Sequence, residues 1–264
     1  MTALRSESPD FAFQSMTRRS VLRNIGLLAA TTACPFCRQA HAADEDIVLC
    51  ATSGTIDLQA LRHRGTTGTP NLDTALALEL NNQSKFFGYR PAFRLFEGPH
   101  QNAMATPKIF AEAPQAEGTI LYHLETLKDN IALTHWGGAV VAGVIAHEFS
   151  HIYQFRTGKF KTWKETRHQV KYAELHADYL SAFYMGKKYK NEKIDIADYT
   201  DRFFEMGDYD FSNATHHGTK EERYATVKAG FNLYLNTSDA SVGYASDQAE
   251  KYIKEYIKEY IRRD

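Results

Sequence analysis

Cysteine is scarce in this chain, with three in 264 residues, and two of them, Cys34 and Cys37, share a Cys-Pro-Phe-Cys stretch near the start. If the leader read below is removed, only Cys50 remains, so no intrachain disulfide framework is available and the domain must hold by its core alone. An excess of charge of one sign is also missing, with 32 acidic against 31 basic side chains. That balance removes the broad electrostatic footprint expected of a nucleic-acid binder or of a protein working on an anionic membrane surface. No apolar run approaches the ~20 residues of a spanning helix. What is plentiful is core material: 43% of the residues are hydrophobic and 12% aromatic, enough for one sizeable domain.

The first forty or so residues differ from the rest. Thr17-Arg18-Arg19-Ser20-Val21-Leu22-Arg23 leads into a short apolar stretch from Ile25 to Ala33, and Ala40-His41-Ala42 supplies a small-x-small cleavage pattern. The arginine pair resembles a twin-arginine export signal. The expectation is therefore a removed signal over residues 1–42, with Met16 an alternative start, and one domain over 43–264. Such a chain is exported to a periplasmic or extracellular space, with no stable membrane insertion of its mature part. A lipid-modified Cys34 fits poorly, because the residues before it make a poor lipobox.

Within the domain, residues 47–56 read as a short β-like segment and 62–70 as a Gly/Thr loop. Leu72 to Asn82 predicts a helix capped by Asn71 or Asp73, with Leu72, Ala75, Leu76, Glu79 and Leu80 on one side. Prolines at 91, 99, 107 and 114 permit short strands and turns but no long helix. Thr119 to Leu127 alternates as a strand. After Gly137-Gly138 the pattern turns helical. Ala139 to Phe155 is apolar almost all round, which marks a buried helix, and further helices are expected over 165–188, ending near Gly186, and over 194–206, 220–235 and 240–263. The last is amphipathic and reads as docked on the body.

The strongest signal is His147-Glu148-Phe149-Ser150-His151, an H-E-x-x-H on the apolar helix. Residues four apart share a helical face, so both imidazoles can reach one metal ion while Glu148 faces an open coordination position. A zinc hydrolase of this type needs a third protein ligand. Glu174 in Glu174-Leu175-His176-Ala177-Asp178 supplies one, and Asp178, one turn on, is placed to accept the free ring N–H of a ligating histidine. His176 faces elsewhere on that helix. The bland readings are two core histidines within a buried helix, a salt-bridged Glu174 and a structural Asp178–Arg223 pair; three potentially charged groups in an otherwise apolar helix argue against the first.

These residues resemble the gluzincins, zinc peptidases in which H-E-x-x-H is followed on a later helix by glutamate. The likeness is closest to the neutral zinc metallopeptidases carrying E-x-x-A-D there, matched by Glu174, Ala177 and Asp178. Asn102-Ala103 with Ala105 resembles their Asn-Ala-x-Ala strand, and His217-Gly218-Thr219 with Arg223 their His-Gly-[ST]-x-x-x-Arg segment. The likeness spans about residues 102–230.

It implies an α+β, zincin-like fold with a small mixed sheet over the active-site helix and a mostly helical C-terminal half. It also implies Zn2+ on His147, His151 and Glu174, with Glu148 as general base in the hydrolysis of a peptide or protein substrate. His217 (or its neighbour His216) or Arg223 would steady the oxyanion, and an edge strand at 119–127 would hold the peptide. Two alternatives share the fold: a silent scaffold that has lost turnover, and a zinc amidase acting on a non-peptide or cell-wall amide. Oligomeric state is not readable from the sequence.

Overall fold

The computed structural model describes residues 57–58, 61–132, 137–163, 169–191, 219–237 and 240–261. The chain divides into two compact units, Met1–His41 and Ala42–Asp264, and all described residues belong to the second. The leader, the three cysteines, the segment at 47–56, the helix expected over 194–206, and His135, His168, His216 and His217 lie outside the described residues.

Helix α1 (Pro70–Phe87) starts on a proline, whose missing N–H is no loss in a first turn. Neither Asn71 nor Asp73 caps it; the preceding residue, Thr69, holds the cap position without a side-chain bond. Asp73 instead accepts the Thr67 N–H and hydroxyl, each at 2.7 Å, and so pins the loop before the helix. The helix runs five residues beyond the expected Asn82 because polar Gln83 is a core residue. Its amide donates to Ala142 O at 2.9 Å and to Glu79 at 2.8 Å, and one turn later Phe87 stacks on Phe149. Gly88, at φ 78°, then closes the helix in the left-handed region that glycine adopts without strain.

Four strands, β1 (Arg62–Arg64), β2 (Ala92–Glu97), β3 (Ala103–Thr106) and β4 (Thr119–His123), form one sheet in the order β1-β2-β4-β3. β2 and β4 are parallel; the two outer pairs are antiparallel. The mixed sheet agrees with expectation, but the place of β4 does not. It is an interior strand, not an edge, and it stops at His123, where α2 (Leu124–Ala132) begins. The reason is its two apolar faces. Ile120 and Tyr122 join Leu95, Ala103 and Ala105 in the main core, whereas Leu121 packs with Phe96, Met104 and Leu58 on the opposite side. Both faces of the sheet are therefore covered at β4.

Helix α3 (Gly137–Thr157) lies against the core face of the sheet and is buried at every position from Ala139 to Gln154. The short α4 (Lys159–Thr162) follows, then α5 (Gln169–Lys188), α6 (Lys220–Thr237) and α7 (Val242–Ile261). α5 ends at Lys188, as expected. Gly186 lies in its last turn, where a Cβ would come within 2.8 Å of Tyr234 on α6. α5 touches α3 through Ser181, whose hydroxyl donates to Gly143 O at 2.9 Å. α7 docks on α5 with Ile253 against Leu175, and Ala245 and Ala249 are fully buried.

Candidate metal centre

α3 presents His147 and His151 one turn apart, and the facing α5 presents Glu174. Three ligand atoms meet: His147 Nε2 lies 3.1 Å from His151 Nε2 and 3.2 Å from Glu174 Oε2, and His151 Nε2 lies 3.6 Å from Glu174 Oε1. All three residues are buried, with exposures of 1%, 0% and 0%. Ligands at 2.0–2.2 Å from a tetrahedral ion stand about 3.3–3.6 Å apart, which is close to these separations. The buried His147, His151 and Glu174 set is therefore compatible with a metal site.

The hydrogen-bond network fixes the protons. Gln154 Nε2 points at Ala173 O, 2.7 Å away, and a carbonyl oxygen only accepts, so that end of the amide is the NH2 group. Gln154 Oε1, 3.0 Å from His151 Nδ1, is then an acceptor, and Nδ1 carries the proton. His151 Nε2 is left with a bare lone pair. His147 Nδ1 lies 3.0 Å from Asp178 Oδ1, and Asp178 is held as a carboxylate by Arg223, whose Nε and Nη2 donate to its two oxygens, each at 2.7 Å. His147 Nδ1 is therefore also the protonated nitrogen, and its Nε2 faces His151 and Glu174.

Comparison with protein-family models, curated proteins and solved structures gives no match.

Two lone pairs and a carboxylate converge on one point, and something positive must sit among them. A proton on His147 Nε2 is the simplest candidate. Burial disfavours a charged ring there, but the hydrogen bonds and charges of Asp178 and Glu174 override it and lift His147 to about 10. His151 goes the other way, pushed down to about 4, chiefly by burial. A cation in the middle would satisfy all three atoms at once.

Glu148 is 2% exposed and sits between the two histidines in sequence. Its charge acts on Tyr122 of β4, whose hydroxyl is held far above the ordinary tyrosine range first by burial and then by that charge. Asn130 Nδ2 donates to the same hydroxyl at 2.7 Å.

Of the remaining expected site residues, Asp178 lies 3.0 Å from His147 Nδ1. For Arg223, read either as an oxyanion donor or as the ion-pair partner of Asp178, the structure shows the ion pair. Arg223 is fully buried and bound bidentately to Asp178, on the side of the His147 ring away from Glu174. His176 is turned away from the cluster and bonds Gln154 and Ser246.

Gln154 escaped the reading of the sequence, although a polar residue three places after His151 on an all-apolar helix was a usable signal. Ser246 gave no signal at all. A surface cavity of about 370 Å³ lined by His63, Arg64, Phe93 and Arg94 contains none of these residues and plays no part in the assignment.

Proposed function

We propose that the protein is a zinc-dependent peptidase with Glu148 as its general base. The convergence of two oriented imidazole lone pairs and one carboxylate carries this reading, because three protein ligands leave a fourth position for water or substrate. The His-His-Glu donor set suits zinc, and zinc bound there supplies Lewis acidity and a water of lowered pKa.

The chain's own residues do the rest. Asp178 and Arg223 lock His147, and Gln154 locks His151, so neither ring must reorganise as the reaction proceeds. Glu148, on the same helix as both rings, takes the attacking water's proton on its carboxylate and returns it to the leaving amine. The gluzincin resemblance and the mixed sheet packed on α3 support the same reading. An exported location is part of the proposal and rests on the leader sequence only.

Casein digestion and zinc content, measured together on the full chain, test it. Glu148→Gln keeps stoichiometric zinc and loses about 10²–10⁴-fold in cleavage, the usual worth of a general base. Undiminished cleavage by that variant removes Glu148 from the role. Zinc bound by the parent chain with no peptide cleaved favours the scaffold or the non-peptide amidase.

A further inference from the structure

We propose that the notch where β1 parts from β2 is a docking site for an extended peptide segment bearing a carboxylate, which pairs with the free edge of β2 in line with β1. No residue of the metal centre lines this notch, so the proposal stands whether or not zinc binds.

The free edge follows from the hydrogen bonds of the sheet. Ala92 N–H donates to Gly118 O at 2.9 Å, so the main-chain groups of Ala92 face β4. Successive residues of a strand send these groups to opposite sides, and those of Phe93 therefore face the β1 side. There β1 has already ended. Its last pair with β2 joins Arg64 to Leu95, and two residues further on Phe93 would meet Thr66. The Phe93 N–H and C=O thus have no partner among the described residues.

Both walls of the notch are held. Thr66 is drawn off the sheet because its hydroxyl donates to Asp73, and Thr67 gives Asp73 its N–H and its hydroxyl, each at 2.7 Å. On the other side the Phe110 ring lies 5.5 Å from the His63 ring and 5.0 Å from the Arg94 guanidinium, and Ala113 N–H closes the turn on Phe110 O at 3.0 Å. Between them is the cavity of about 370 Å³ lined by His63, Arg64, Phe93, Arg94 and Ala113, a size within the ~300–1,000 Å³ span of ligand sites. An unblunted strand edge is a template for another extended chain, and strand addition draws its affinity from main-chain hydrogen bonds.

Charge selects the occupant. The lining residues include two arginines and no acid. Glu97 is shared between Arg62 at 3.3 Å and Arg64 at 2.9 Å, and Arg94 pairs with Glu112 at 3.2 Å. Three guanidiniums against two carboxylates leave one positive charge at the rim, which a single acidic side chain on the bound segment balances.

The test uses the full chain carrying Glu148→Gln, so that no peptide is consumed, and the blocked peptide acetyl-Thr-Val-Asp-Val-Thr-amide. Hydrogen exchange and nitrogen-15 NMR read the Phe93 amide. In the free protein it should exchange readily while those of Ala92 and Arg94 are protected; the peptide should shift and protect it. N-methylation of the three central peptide residues should weaken binding about tenfold, the worth of two main-chain hydrogen bonds, and replacing the peptide's Asp by Asn about threefold, the worth of a surface ion pair. Phe93→Pro removes the N–H while leaving the β4 side intact and should abolish binding, whereas Phe93→Leu should keep it.

The N-methylated peptide keeps the test open should Phe93→Pro fail to fold. A Phe93 amide already protected in the free chain overturns the proposal, as does equal binding of the parent and N-methylated peptides or of the Asp and Asn peptides. Sodium acetate producing the same Phe93 response as the peptide also overturns it, since the notch would then hold a free anion and no strand.

Discussion

At Arg223 charge and geometry are matched atom for atom: a fully buried guanidinium faces a fully buried carboxylate through two bonds of 2.7 Å. Neither partner is tolerable alone in that setting. Arg223→Ala strands Asp178 beside His147, and breaking a buried pair from one side costs about 3–5 kcal/mol. Urea unfolding should show that loss, and Arg223→Lys should recover little of it, because a point charge cannot reproduce the two-pronged bond. The same pair holds His147 in place, so zinc content should fall as well. Glu174→Ala isolates the ligand role from the support role. It removes one of the three converging atoms and should abolish stoichiometric zinc, measured by atomic absorption after dialysis, whereas full retention would take Glu174 out of the site.

Helix spacing decides whether these residues meet, and one glycine sets it. On α6, a Cβ at Gly230 would fall 2.2 Å from Tyr179 O on α5, a backbone atom that cannot step aside. Gly230→Ala must therefore push α6 away from α5, and with it Arg223 from Asp178. We expect a loss of at least 2–3 kcal/mol, within the range of overpacked cores, together with weaker zinc binding; unchanged stability and zinc affinity would mean that the two helices shift freely. The sequence announced the helices and the H-E-x-x-H face because their signals are local: period, motif spacing and an all-apolar α3 read directly from neighbouring residues. It pointed to Glu174 and Asp178 by their common spacing on a second helix. It misjudged what depends on partners far along the chain. Gln83 looks like a helix end until Ala142 O is placed beside it, and β4 looks like any alternating strand until β2 and β3 flank it. Arg223 was open to two tasks, an oxyanion role and an ion pair with Asp178, since nothing local decides between them.

For the molecule as a whole, buried histidines make stability depend on pH in a way that metal should change. His176 is held down to about 3, by burial first and then by the Lys159 charge, and His151 to about 4; both are neutral when folded but take a proton near 6.5 when unfolded. Below about 6.5 the unfolded chain binds more protons, so stability present at neutral pH is lost as pH falls, by about 1.4 kcal/mol per pH unit for each group. Carried down to pH 4, that loss is comparable with the whole stability of an ordinary domain, about 5–15 kcal/mol. His147 has the opposite sign. Lifted to about 10 by Asp178 and Glu174 against burial, it contributes stability that is complete below 6.5 and drains away as pH rises towards 10. Metal-free protein should thus be most stable near pH 6.5 and weaken on both sides. If zinc binds His147 Nε2 it would take the proton's place, so the alkaline loss should disappear while the acid loss steepens, because protons would then compete with the metal for all three ligands. Urea unfolding across pH 4–10, with and without a chelator, measures both limbs; an alkaline limb of the same slope in zinc-loaded and metal-free protein would show that His147 does not hold the ion.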